Sequence, residues 1–177
     1  VRYFGDNNPG AANAWKAGGW VPGMLTFTLD LSKGIGPAVF AVGMIPTPTT
    51  LMGQIPMAVV CLGPVLGHGW SPFLKFKGGK ALAITLGVWT GLTYGLAVPV
   101  AGICLGLFHS IQRNHAITVT SCLIICMCIF TPLAVQPYIG AFGILNLIVV
   151  VYKHRFEYLG KLEFRGWVSR LFGMGDG

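Results

Sequence analysis

An all-α integral membrane bundle is the fold class this sequence predicts, and three observations carry the prediction. The chain is 54% hydrophobic with a mean hydropathy of +0.69, too apolar for a domain whose surface must meet water. Charged residues make up only 10% of it and fall in the gaps between apolar runs. Those runs have lengths suited to short or tilted membrane helices. The net charge of +7 raises nucleic acid as a partner. Basic residues confined to gaps between apolar segments instead mark cytoplasmic loops or an anionic-substrate site, and nucleic-acid binding is set aside. All five cysteines, Cys61, Cys104, Cys122, Cys126 and Cys128, sit in apolar runs without zinc-like spacing, so they read as core or lipid-facing residues and no metal site is expected. The chain opens on Val1-Arg2-Tyr3-Phe4 with no Met, and a preceding membrane segment is expected to be missing.

Taken in order, residues 5–19 are rich in Asn, Gly and other small residues, which tolerate left-handed backbone and leave N–H groups turned outward. They read either as an anion-binding turn leading into a short helix, with Lys16 on the ligand side, or as an ordinary loop. A first span is expected over 23–45. Within it Asp30 and Lys33 are three apart and share a helical face, and ionisable residues inside a span default to a functional reading. A structural ion pair near the interface is the alternative. An uncharged turn at 45–50 suits an external loop, and 51–66 returns the chain to the side where it began.

The stretch from Gly67 to Lys80, GHGWSPFLKFKGGK, is where three of the twelve Lys+Arg residues fall within six positions. Gly78 and Gly79 would let the backbone approach a ligand, and Lys75, Lys77 and Lys80 would supply positive charge, a combination suited to phosphate. A loop made basic by topology alone is the alternative. It is not a Walker A loop, since Leu74 stands where the first glycine should be and Ala81 where the Ser/Thr should be.

Residues 81–112 fit one long helix or two short ones. If the basic clusters at Arg2/Lys16, Lys75–Lys80 and Lys153-His154-Arg155 all face the cytoplasm, the stretch must divide near Tyr94-Gly95, giving 81–94 and 96–112. Further spans are expected over 116–133 and 137–152, six in all, within a single membrane domain covering 1–177. The residues from 153 to 177 read as a cytoplasmic amphipathic tail that could lie along the interface, with His154 and Glu157 able to share a face toward a site.

Three stretches together, Gly5-Asp6-Asn7-Asn8-Pro9-Gly10-Ala11-Ala12-Asn13, Asp30-Leu31-Ser32-Lys33-Gly34, and Gly67-His68 through Phe76-Lys77-Gly78-Gly79-Lys80, resemble in order and spacing the bacterial acyl-phosphate:glycerol-3-phosphate acyltransferase family (PlsY). That family carries a GSGNPGATN motif followed by an arginine, a DxxKG element and a GHxFPxFxxFKGGK loop. The resemblance spans nearly the whole chain.

It implies seven membrane helices with the motifs gathered on the cytoplasmic side of a bacterial inner membrane. It implies transfer of a fatty acyl group from acyl phosphate to the sn-1 hydroxyl of glycerol 3-phosphate, in phospholipid synthesis, with no metal, no other cofactor and no acyl-CoA. By position, Asn8, Gly10, Asn13 and Lys16 would line a phosphate pocket. His68, Gly78, Gly79 and Lys80 would hold glycerol 3-phosphate, with Lys75 and Lys77 adding charge and Asp30, Lys33 and Gly34 supporting the site. Asp6, Lys16, His154 and Glu157 are the candidate catalytic residues, His154 matching the histidine of the family's third motif.

The departures are chemical: Asp6 for the family's serine, Ala12 for threonine, Lys16 for arginine and Glu157 for asparagine. Lysine keeps the charge of arginine without its bidentate fork, and the two carboxylates would repel phosphates unless lysines neutralise them. The alternative functions are a non-catalytic membrane subunit of the same fold and, more remotely, a transporter.

Overall fold

The computed structural model describes residues 8–46, 50–133, 136–160 and 163–172. Eight α-helices follow in order among them: α1 (Ala11–Gly18), α2 (Trp20–Met44), α3 (Leu51–Gly69), α4 (Leu82–Leu92), α5 (Ala97–Ile111), α6 (His115–Phe130), α7 (Ile139–His154) and α8 (Gly166–Leu171). No strand occurs among the described residues, and an isolated bridge joins Gln112 to Phe164. Local chemistry sets several helix ends. The Thr50 side chain accepts from the Gly53 N–H to start α3, and the Asn114 side chain accepts from the N–H groups of Ala116 and Ile117 to start α6. Between α4 and α5 the chain turns through Tyr94 (φ 52°) and Gly95 (φ 92°), left-handed backbone that ends the helix.

The bundle is built around α4, which packs against α2, α3, α5 and α7. The α2/α4 crossing is made by small residues on both sides. A β-carbon at Gly34 would collide with the Ile84 carbonyl oxygen, one at Gly87 with the Leu31 carbonyl oxygen, and one at Gly91 would come within 2.7 Å of Ala38 Cβ. The backbones therefore touch, the way helices associate where apolar burial alone gives no preference between protein and lipid. Asp30 and Lys33 lie on α2 next to this contact, so the crossing fixes their position.

Polar residues are inside and apolar ones outside. Asn146 on α7 is fully buried, accepts from Trp89 Nε1 at 3.1 Å and donates to Thr85 Oγ1 at 3.1 Å. Trp89 also packs on Phe142, with ring centroids 5.5 Å apart. Meanwhile Leu25, Leu29, Phe40, Val60, Ile103 and Ile148 are exposed, an apolar surface far larger than water-facing proteins carry. The chain is an integral membrane protein. Among the described residues one helical segment, Met52–Leu74, made of α3 and the short turn that follows it, is by length and composition long and apolar enough to cross by itself, with mean hydropathy 1.3. The 11-residue α4 rises only about 16 Å against a hydrocarbon core of about 30 Å.

Two expectations change. The helix expected over 51–66 runs on through His68 to Gly69, so Gly67 and His68 are its last turn and not a loop. Among the described residues after 152, several are tied to the bundle instead of forming a separate amphipathic tail. α7 continues to His154, and Glu163 and Arg165 return to the α5/α6 corner, where Glu163 O accepts from Arg113 N at 3.0 Å and Arg165 N donates to Ile111 O at 2.9 Å. Between α3 and α4 the loop is held by N–H bonds from Lys75 to Pro72 O and from Phe76 to Ser71 O, which sustain left-handed backbone at both donors. It projects Phe73, 96% exposed, and Phe76, 65% exposed, away from the bundle.

Candidate active site

Gly10 is extended (φ −162°, ψ 169°) and caps α1, with open space where a β-carbon would stand. The first-turn N–H groups of such a helix have no carbonyl one turn back to bond, and they attract anions. Buried Asn13 donates from Nδ2 to Asn8 O at 2.8 Å, which folds the turn that presents Gly10. Gly10 opens onto a cavity of about 750 Å³. Its polar wall includes Asp30 and Lys33 from α2, His68 from α3, and Gly79, while Pro37, Pro64 and Ile84 supply apolar wall. Residues from four separate stretches thus meet at one cavity.

Asp30 is the electrostatic centre of that wall. Its carboxylate accepts from Lys33 Nζ at 3.2 Å and lies 3.6 Å from His68 Nδ1. A carboxylate beside Nδ1 favours the tautomer that carries its proton there, leaving Nε2 for a ligand. His68 Nε2 points at Gly79, where a β-carbon would sit 2.5 Å from it and 2.9 Å from Pro9 O. At Gly78 a β-carbon would collide with the His68 carbonyl oxygen. These two glycines are required by packing of the KGGK segment on the end of α3, a constraint beside the approach to a ligand that the sequence suggests. Lys153 ties the same corner from the other side, donating to Gly69 O and standing 4.2 Å from the Trp70 ring centroid.

One residue past Gly79, Lys80 forms an ion pair with Glu157. Asn114 Nδ2 donates to Glu157 O at 3.0 Å and so fixes the turn on which this carboxylate sits. His154, three residues earlier and 1% exposed, has Nδ1 2.9 Å from Val150 O. A carbonyl can only accept, so Nδ1 carries a proton and in the neutral ring Nε2 carries a lone pair. Nε2 is the one buried side-chain nitrogen or oxygen without a hydrogen-bond partner among the described residues. Lys80, Glu157 and His115 are its charged or titratable neighbours.

Comparison with known proteins decides the family. The model of the family described as glycerol-3-phosphate acyltransferase matches residues 1–163. The chain belongs to the glycerol-3-phosphate acyltransferase family. It is 33% identical over 169 residues to glycerol-3-phosphate acyltransferase 1 of Thermotoga maritima, covering 89% of this chain and 82% of that one. Over 94 residues it is 44% identical to a glycerol-3-phosphate acyltransferase of Leptospira borgpetersenii, which is 52% of this chain and 41% of the relative. Among solved structures it is similar to PlsY, an integral membrane glycerol 3-phosphate acyltransferase. The glycerol 3-phosphate form matches with TM-score 0.76 at 26% identity, over 99% of this chain and 80% of that one. The lysophosphatidic acid form matches with TM-score 0.74, over 96% and 79%.

Within this acyltransferase family member the expected site residues divide. Gly10, Asp30, Lys33, His68 and Gly79 line the cavity, and Lys80, Glu157 and His154 cluster beside it. Lys16, Lys75 and Lys77 are exposed and line no part of it, and Asn13 holds the turn from within. Gly34 belongs to the α2/α4 crossing. Asp6 lies outside the described residues. The glutamate in place of the family's asparagine is neutralised by Lys80, so one of the two carboxylate departures adds no net repulsion. The sequence marks Lys153 only as part of a basic cluster and gives no role to Asn114, whereas in the structure Lys153 holds the Gly69 carbonyl and Asn114 the Glu157 turn. Among the described residues no group of three or more His, Cys, Asp or Glu side chains is placed to hold a metal.

Replacing Lys80 by alanine is expected to raise KM for glycerol 3-phosphate or abolish turnover, by about 1.5–3 kcal/mol for a charged hydrogen bond. Steady-state kinetics over a range of glycerol 3-phosphate checks it, and wild-type constants would remove Lys80 from the site.

Proposed function

We propose that this chain catalyses transfer of a fatty acyl group from acyl phosphate to the sn-1 hydroxyl of glycerol 3-phosphate, yielding lysophosphatidic acid and inorganic phosphate. The observation that carries the reading is the convergence on one cavity of Gly10, the Asp30/Lys33 pair and the His68/Gly79 contact, each from a different motif. The apolar walls suit an acyl chain, and the cationic and N–H-rich mouth suits the phosphates of both substrates. In the direct step the hydroxyl oxygen forms a bond to the acyl carbonyl carbon, the carbon–oxygen bond to phosphate breaks, and phosphate leaves with the electron pair. His154 Nε2 takes the hydroxyl proton and returns it to the departing phosphate. Lys80 holds the acceptor's phosphate, and Lys33 and the α1 N-terminus hold that of the donor. Acyl phosphate is a mixed anhydride with a good leaving group, so positioning and charge stabilisation supply much of the rate.

The test is to incubate the purified, folded protein with palmitoyl phosphate and glycerol 3-phosphate and follow lysophosphatidate and phosphate, expected in equal amounts. A folded preparation that forms neither overturns the reading in favour of the non-catalytic subunit.

The site faces the cytoplasm across a bacterial inner membrane. In a variant lacking the native cysteines, single cysteines at Lys77 and Arg113 are expected to react with an impermeant maleimide from the cytoplasmic face, and one at Met52 from the opposite face. Labelling of position 113 from the side that labels position 52 would show the orientation to be wrong.

A further inference from the structure

A second cavity, of about 630 Å³, opens between the end of α5 and the start of α6, beneath α8. It shares no lining residue with the first. Its apolar lining includes Leu105, Gly106 and Val119, and its polar lining includes His109, His115 and Arg165. The imidazoles of His109 and His115 stack, with centroids 5.4 Å apart and planes 17° from parallel. Arg165 donates from Nε to His109 O at 3.1 Å and from its NH2 group to His109 Nε2 at 3.0 Å. These bonds hold one edge of the guanidinium and leave the rest of its five donors to face outward.

No acid offsets this charge. None of the lining residues is acidic, and Glu163, two residues before Arg165, lies 3.8 Å from Arg113 instead. The His115 side chain forms no hydrogen bond among the described residues. Trp167 closes the rim, donating from Nε1 to Ser110 O at 2.7 Å, an indole placed as it is at membrane surfaces. Along α5 beside the cavity, Ile103 and Leu107 are 63% and 59% exposed, which in a membrane protein means exposed to acyl chains. The Arg165 guanidinium and the two imidazoles thus line the same cavity as apolar Leu105 and Val119.

We infer that this α5/α6 cavity is a binding site for an anionic phospholipid, its phosphate held by Arg165, His115 and His109 and its acyl chain laid along the groove of Leu105 and Val119. A free anion would use the donors and leave the groove empty, whereas a phospholipid uses both. Arg suits the phosphate because its fork meets two oxygens at once. The site stands apart from the catalytic reading, since nothing in it is asked to react.

The experiment places the full chain in nanodiscs of phosphatidylcholine containing a minor fraction of phosphatidylglycerol. Lipid retained by the protein is then measured by native mass spectrometry. Phosphatidylglycerol is neither acceptor nor product of the proposed reaction, and any of it held in the cavity on α2 and α3 is untouched by substitutions at Arg165 and His115, which line only the second cavity. Wild-type protein is expected to retain phosphatidylglycerol enriched about fivefold over its share of the bilayer, as one surface arginine implies. Enrichment should vanish in Arg165→Gln and fall in His115→Gln. The second variant leaves the Arg165 bonds in place and decides the matter alone if the first fails to fold. Equal enrichment in wild type and His115→Gln, or no preference over phosphatidylcholine, overturns the proposal. Loss of the enrichment in excess inorganic phosphate also overturns it, by assigning the cavity to free phosphate.

Discussion

A Gly87→Leu protein is expected to lose its folded state in detergent, with no cooperative thermal transition where the wild type shows one. The reason is geometric. A β-carbon at Gly87 falls on the Leu31 carbonyl oxygen, and Gly87 Cβ would also lie 3.0 Å from Gly34 Cα, so there is backbone on the far side and no flexible side chain to yield. Overpacking a tight contact by even a small group costs about 1–3 kcal/mol, and leucine adds far more volume than that. Relief requires α2 and α4 to part, which draws Asp30 and Lys33 away from His68 and so removes the cavity wall along with the fold. Gly36→Leu, on an open face of α2 with nothing within 4 Å of the added atom, serves as the control and should melt like the wild type. A Gly87→Leu melting curve superimposable on the wild type would mean that the crossing is looser than this packing allows.

The second large effect concerns the proton. His154→Gln should lower kcat by about 10²–10⁴ while leaving KM for glycerol 3-phosphate close to its wild-type value, because a base acts in the transition state and not in binding. The orientation that makes Nε2 the acceptor comes from the bond of Nδ1 to Val150 O. Glutamine has an amide that can donate to that carbonyl, and it has no basic nitrogen to offer. An unchanged kcat with a lowered melting temperature would reduce His154 to a packing residue at the end of α7.

Much of this architecture is readable from residue chemistry, and the exceptions share a cause. The apolar runs, the break at Tyr94-Gly95 and the pairing of Asp30 with Lys33 depend on local composition and spacing, which a sequence displays directly. The end of α3 does not. Gly67 and Gly69 are poor helix formers, and what keeps them helical lies 84 residues away, where Lys153 covers the Gly69 carbonyl. The same holds for Gly78, whose partner is the carbonyl of His68, and for Glu157, whose neutral pairing with Lys80 depends on α7 ending beside the KGGK segment. Lys16, Lys75 and Lys77 show the converse. Charge near a motif looks like a ligand in one dimension, and in three dimensions these side chains point to the surface.

The loop that carries Phe73 and Phe76 outward, with Lys75 and Lys77 exposed between and beyond them, has a further consequence. Aromatic rings seek the boundary of the acyl region while lysines reach back to the headgroups, so the loop floats at a fixed depth and holds the adjoining cavity mouth at that level. Substrates then arrive from different dimensions: the water-soluble acceptor by diffusion through a volume, the acylated donor by diffusion along a surface. The donor's effective concentration is its mole fraction in the leaflet. Adding inert lipid at constant total donor should therefore slow the reaction as surely as removing donor would, although nothing in the bulk solution has changed.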